Sequence, residues 1–147
     1  MKSILQSLLN RAQKGKNLQE RAYGKFPVEI ADQCKEEEIS EILQRLDELG
    51  IEKENLPNWD GDSQDDIWRV QKGFSETLER LTDKYTSLIV RGLRSGVPDT
   101  TFWIAHTFWK SPNKNAVEAL TEYLKKDITE LHRKIASDAL EACRKLK

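Results

Sequence analysis

Long apolar runs, cysteine and histidine are all scarce in this chain of 147 residues, and each shortage closes off a class of protein. The longest strictly aliphatic run is Leu88-Ile89-Val90, far short of the ~20 apolar residues that carry a helix across a bilayer. A membrane span is therefore excluded. Cysteine occurs twice, at Cys34 and Cys143, with no CxxC pair and no histidine at metal-ligand spacing. Such a pair builds neither a disulfide framework nor a zinc site, and free thiols are expected. The two histidines, His106 and His132, lack a carboxylate, serine or cysteine partner at any recognisable catalytic spacing, so structural roles are expected of both. No phosphate loop, GxGxxG, zinc motif or nucleophile elbow occurs. Catalysis, a cofactor and a metal are accordingly not expected. Polar residues interrupt Met1-Lys2-Ser3-Ile4-Leu5-Gln6-Ser7 where a signal peptide would need an apolar core, so a cytoplasmic location is expected.

The charge is abundant and unevenly distributed. Of the twenty-five acidic residues, fourteen lie between Val28 and Asp66, against only Lys35, Arg45 and Lys53 as cations. That stretch carries −11, while residues 1–27 and 67–147 carry +5 each, and the total of −1 hides the contrast. Segregated charge of this kind selects a basic partner and speeds its encounter. Two parts of the stretch are candidate binding groups: Glu36, Glu37 and Glu41 at the front of a helix, and the Trp59-Asp60-Gly61-Asp62-Ser63-Gln64-Asp65-Asp66 segment. The second fails the calcium-loop template, because it lacks a closing Glu and alternating carboxylates. Trp59 and Trp68 are the expected anchors among those charges. Arg91 and Arg94, with Lys84 and Arg80, form a basic stripe, but so mild an excess does not make nucleic acid the expected partner.

Helical periodicity dominates the rest, and 37% hydrophobic content at this length suits one domain. Ile4, Leu5, Leu8, Leu9 and Ala12 predict a first helix ending near Gly15, and Pro27 predicts an extended or irregular passage over 22–33. A second helix begins near Lys35 with Ile39, Ile42, Leu43, Leu46 and Leu49 on one face, and Gly50 stands as its C-terminal cap. A polar loop over 51–62 is expected next, with Ser63 capping a third helix. Ile67, Phe74, Leu81 and Leu88 recur every seven residues and extend that helix to about Arg94, with Gly73 as the bend. The Trp- and Phe-rich helix from Asp99 or Thr100 to Trp109 is bulky on several sides and therefore expected in the core. Ser111-Pro112 predicts an N-cap with proline at the first helical position. The next helix turns Ala116, Val117, Leu120, Tyr123 and Leu124 inward. Asp127-Ile128-Thr129-Glu130 reads as a capping box for a last helix lined by Leu131, Ile135, Ala139 and Cys143.

Asp127, Arg133, Ala136, Ala139 and Leu140 fall at the spacing of the second-helix signature of HEAT-type repeats, which the chain resembles over about residues 99–146. Small residues there let stacked hairpins approach closely. The family usually has proline after the turn Asp and valine before the Arg, where this chain has Ile128 and His132. The resemblance implies an all-α fold of about six helices in one domain, 1–147, the later helices stacked as right-handed antiparallel hairpins. Small HEAT-like proteins with a lopsided acidic surface look like bacterial immunity proteins, which cover the active site of a cognate toxin. The function so implied is non-catalytic: inhibition of a basic toxin domain through the acidic face. A helical adaptor or regulator using the same face is the alternative. A HEAT-like alkylation-repair glycosylase would need a larger, basic concave surface than this chain provides.

Overall fold

A computed structural model describes residues 31–57 and 61–146, except for the side chains of Asp62, Ser63, Asp65 and Asp66. Among these residues the fold is all-helical, with no strand. The helices are α1 (Glu36–Glu54), α2 (Gly61–Glu79), α3 (Thr86–Ile89), α4 (Pro98–Lys110), α5 (Val117–Leu124) and α6 (Glu130–Arg144). Two 3-10 turns, Val90–Arg94 and Lys114–Ala116, lead into α4 and α5. The helix expected over residues 4–12 lies outside the described residues. Of the passage expected to be extended, residues 31–33 are helical.

Why α1 forms is plain from its spacing. Ile39, Ile42, Leu46 and Leu49 fall on one side and are buried, and three glutamates in its first turn meet the positive helix end. Glu38 reaches back to the Lys35 amide at 3.2 Å. Gly50, however, is no cap. The helix continues to Glu54, and Gly50 is buried inside it, where a Cβ would stand 2.7 Å from Val97 Cγ1 and 3.0 Å from Asp99 Cβ. Its function is close approach of α1 to the start of α4. Helix α2 also starts earlier than expected, at Gly61, so Ser63 lies within it and residues 61–66 are helix rather than loop.

The seven-residue repeat from Ile67 overreaches in the other direction. Helix α2 ends at Glu79, and residues 80–85 form turns before α3. Side chains take the backbone groups that a continuing helix would have used. The Thr82 carbonyl accepts from the Thr86 hydroxyl and from Asn113 Nδ2, which also donates to Asp83 at 3.0 Å. Asn113, and not Ser111, is likewise the N-cap that opens the turn into α5, accepting from the Asn115 amide at 2.8 Å. Ser111 instead ends α4. At the last helix Thr129 is the cap in place of Asp127, accepting from the His132 amide. Leu131 then points outward, 64% exposed, while Ala136, Ala139, Leu140 and Cys143 are buried. Helix α5 has eight residues and is separated from α6 by residues 125–129.

Helix α4 is the centre. It packs most extensively on α6 and also on α2, α1 and the Val90–Arg94 turn, and its Ile104, Ala105 and Phe108 are fully buried. Helices α2 and α4 run side by side in the same direction, joined by a polar ladder that is buried at its middle and half-buried at its ends. Gln71 Nε2 donates to Asp99 at 3.0 Å, Ser75 Oγ bonds Thr107 Oγ1 at 2.9 Å, and Thr82 Oγ1 bonds Ser111 Oγ at 2.8 Å. Thr107 donates its own proton to the Trp103 carbonyl, so Ser75 is the donor in their pair. From α1, Asp47 accepts from Ser95 Oγ at 2.6 Å and Thr100 Oγ1 at 2.5 Å, and Lys53 pairs with Asp99 at 3.3 Å. Burying such groups is tolerable only because they meet partners.

Gly50→Ala tests the close approach. Helix propensity alone would favour alanine by ~1 kcal/mol, but the contacts with Val97 and Asp99 reverse the sign. A net loss of about 1–2 kcal/mol is expected in chemical denaturation, and a stabilised variant would show that α1 and α4 are not in such contact.

Candidate functional site

Two surfaces carry chemistry, one acidic and one of mixed charge. On α1 the outer arc carries Glu37, Gln44, Glu48, Ile51 and Glu52, all exposed, and half-buried Glu41. At 3.6 residues per turn, the four glutamates among them fall within roughly 60° of arc, a single acidic stripe running ~22 Å from Glu37 to Glu52 along the 19-residue helix. Glu36 is exposed on its flank. Arg45 binds Glu48 at 2.9 Å, and Ile51 lies among these charges 50% exposed.

The two acidic groups, near each other in sequence, do not adjoin in the fold. Helices α1 and α2 pack together across a short connection, so the front of α1 lies beside the end of α2. Tyr85, just beyond α2, donates to the Cys34 carbonyl at 3.4 Å. Glu36, Glu37 and Glu41 are therefore at one end of the pair, and residues 61–66, carrying Asp62, Asp65 and Asp66, are at the other. Trp59 and Asp60 lie outside the described residues. Glu48 and Glu52 span the gap between the two groups. They do not belong to an acidic run, and the successive spacings of four, seven and four from Glu37 through Glu41 and Glu48 to Glu52 are the signal that finds them. Trp68, the other expected anchor, is 38% exposed and packs edge-on to Trp103 at 6.0 Å, with the Lys72 ammonium 5.5 Å from its ring.

The second surface lies between the C-terminal halves of α2 and α4. Lys72, Glu76, Glu79 and Arg80 from the α2 side face His106, Trp109, Lys110 and Ser111 across a groove of about 660 Å³. The ladder builds it. Parallel helices held in register bring both C-terminal ends to the same place. Helix α4 is in the core as expected, and its Phe102, His106 and Trp109 share the less buried face, Phe102 and His106 half-buried and Trp109 exposed. Trp103 and Phe108 are the buried ones. Trp109 is 41% exposed, its ring 5.6 Å from His106 and 4.7 Å from the Lys110 ammonium.

Ionisation in this groove is displaced in both directions. Burial raises Glu76 above its ordinary value, against the pull of Lys72 and Arg80. Burial also raises Glu79, and the Glu76 charge adds to it, against Lys110, Lys72 and Arg80. His106 is lowered by burial and by Lys110 and Lys72, so it is neutral at pH 7. His132 is lowered by burial as well. The cysteines are both free and buried. Burial, with Glu38 beside it, pushes the Cys34 thiol up to about 12, and the protonated thiol is no nucleophile.

Comparison of the chain with protein-family profiles, with curated protein sequences and with solved structures finds no match.

Two consequences follow from the ionisation. Glu79 is raised in the folded protein, so its charge destabilises at neutral pH, and the cost is relieved as pH falls through the raised value. Glu79→Gln is therefore expected to raise the melting temperature by a few degrees at neutral pH and to have a smaller effect in acid. His106 acts oppositely. Its folded pKa is below the ordinary 6.5, so its neutral form supports the fold fully above 6.5 and stability is lost as pH falls below it. His106→Gln should flatten the fall in melting temperature between neutral and about pH 5.5. An unchanged slope would mean that the ring is not held in its neutral form.

Proposed function

We propose that this protein is a non-catalytic protein-binding module that docks a basic partner through the acidic stripe of α1 and the adjoining start of α2. The observation that carries this reading is the stripe itself. Four carboxylates on one narrow arc of an exposed helix concentrate negative potential along its length, with half-exposed Ile51 as an apolar contact among them. Charge of this kind governs the rate of encounter, and the apolar contact governs residence.

Within that class, an immunity protein that neutralises a basic bacterial toxin domain is the reading we favour, and a helical adaptor is the alternative. The resemblance to HEAT-type repeats supports the first. Ala136 and Ala139 are fully buried in α6, and Arg133 donates to the Leu124 and Lys126 carbonyls at 3.0 and 3.3 Å, closing the turn before it. Trp68, within α2, and Trp59 remain the proposed aromatic anchors.

The test is kinetic. With a partner captured from the source cells, neighbouring gene products being the first candidates, Glu37→Lys, Glu48→Lys and Glu52→Lys combined should slow association about tenfold or more. The wild-type rate should also fall with salt, since exposed charges are screened within about 8 Å at physiological ionic strength. Ile51→Ala should leave association unchanged and raise the dissociation rate about tenfold, the equivalent of ~1.4 kcal/mol. Association of the triple variant at the wild-type rate would reduce the stripe to a solvated helix face. Protection of cells from a co-expressed toxin separates immunity protein from adaptor.

A further inference from the structure

The groove between α2 and α4 is not needed for docking by the acidic stripe, and its side chains are an unfavourable choice for structure alone. Glu76 and Glu79 occupy the last turn of α2, whose carbonyl end is negative and which has no basic residue there. They are half-buried, and the charge of Glu76 adds to the cost of charging Glu79. Helix ending, burial and like charge all oppose them. Local choices that conflict with the fold in this way mark sites rather than scaffolding.

The opposing cations come from both helices. Lys72 and Arg80 lie on the α2 side, with Lys72 3.8 Å from Glu76, and Lys110 lies on α4. Lys110 is against the Trp109 ring, so an anion held by Lys110 is also held beside an indole. A ligand matching all three features carries a multiply charged anionic group for the cations and a flat ring for Trp109. It also has N–H or O–H donors for the two glutamates. The groove, at about 660 Å³, lies within the usual range of small-molecule sites, about 300–1,000 Å³. A lone carboxylate leaves the three cations under-used, inorganic phosphate leaves the ring bare, and a hydrocarbon ring leaves both signs of charge desolvated without partners.

We propose that this groove binds a nucleoside monophosphate, the phosphate on Lys72, Arg80 and Lys110, the base against Trp109, and base amino or ribose hydroxyl groups donating to Glu76 and Glu79. Neutral His106 forms the wall beside the indole and adds no charge to it.

The experiment titrates the full chain with AMP and GMP, following tryptophan fluorescence and calorimetry, with adenosine and inorganic phosphate as partial ligands. A nucleotide is expected to bind about tenfold more tightly than either partial ligand, because ring and anion are recognised together. Trp109→Ala should weaken nucleotide binding about tenfold, in the range of one base–aromatic stack, and leave phosphate binding unchanged. Arg80→Ala and Lys110→Ala should weaken both, and Lys125→Ala, on an exposed turn beyond α5, should change neither. Circular dichroism checks that each variant keeps its helices, and Trp109→Phe, which keeps a ring, should retain most of the affinity. Nucleotide binding no tighter than phosphate, or equally tight in Trp109→Ala, overturns the proposal. So does a single-stranded oligoadenylate without terminal phosphate that binds more tightly than AMP, since the groove would then hold a strand.

Discussion

The arrangement of the molecule depends on three buried or half-buried hydrogen bonds along the seam between two parallel helices and just past their ends. Gln71, Ser75 and Thr82 of α2 and its continuation meet Asp99, Thr107 and Ser111 at nearly constant separation along the chain. Apolar packing alone is non-directional and would let α4 slide along α2. Sliding by a turn would leave several buried polar groups without partners at once, each costing about 1–3 kcal/mol. The Gln71 amide oxygen already finds no partner among the described residues, which shows how little slack the seam has. Register between α2 and α4 is thus set by polar chemistry within an otherwise apolar core.

Asp99 connects that seam to the rest. One carboxylate receives Gln71 from α2 and Lys53 from α1, while Asp47 of α1 receives the two hydroxyls at the entry to α4. The close packing of Gly50 against Val97 and Asp99 belongs to the same junction. From it the acidic stripe of α1 faces solvent on one side, and the mixed-charge groove opens at the far ends of α2 and α4. Each surface owes its geometry to the junction, although neither shares a residue with it.

The sequence was legible where periodicity answers to burial and opaque where a side chain from elsewhere intervenes. The inward faces of α1 and α6 could be read from Ile39, Ile42 and Leu46 and from Ala136 and Ala139, because their spacing repeats with the helix. The break after Glu79 could not, because Asn113, some thirty residues away, takes the Thr82 carbonyl. Gly50 has the look of a terminus, and only the position of Val97 shows otherwise. For the candidate sites, runs of acid pointed to the fronts of α1 and α2 but passed over Glu48 and Glu52. The groove could not be assembled from the sequence, since its members come from two stretches brought together by a polar ladder that has no sequence signature.

The central position of α4 bears on how the chain matures during synthesis. Residues 36–79 hold Phe74 and Ile42, yet the surfaces that cover their polar neighbours Gln71 and Ser75 are supplied only when residues 98–107 have been made. A nascent chain halted before α4 leaves the ribosome with amides and hydroxyls that have water as their only partner, beside apolar side chains that do not. Such a fragment is a target for chaperones and proteases rather than a half-finished domain. The molecule therefore has a late commitment point, close to two-thirds of the way along its length, before which neither surface exists.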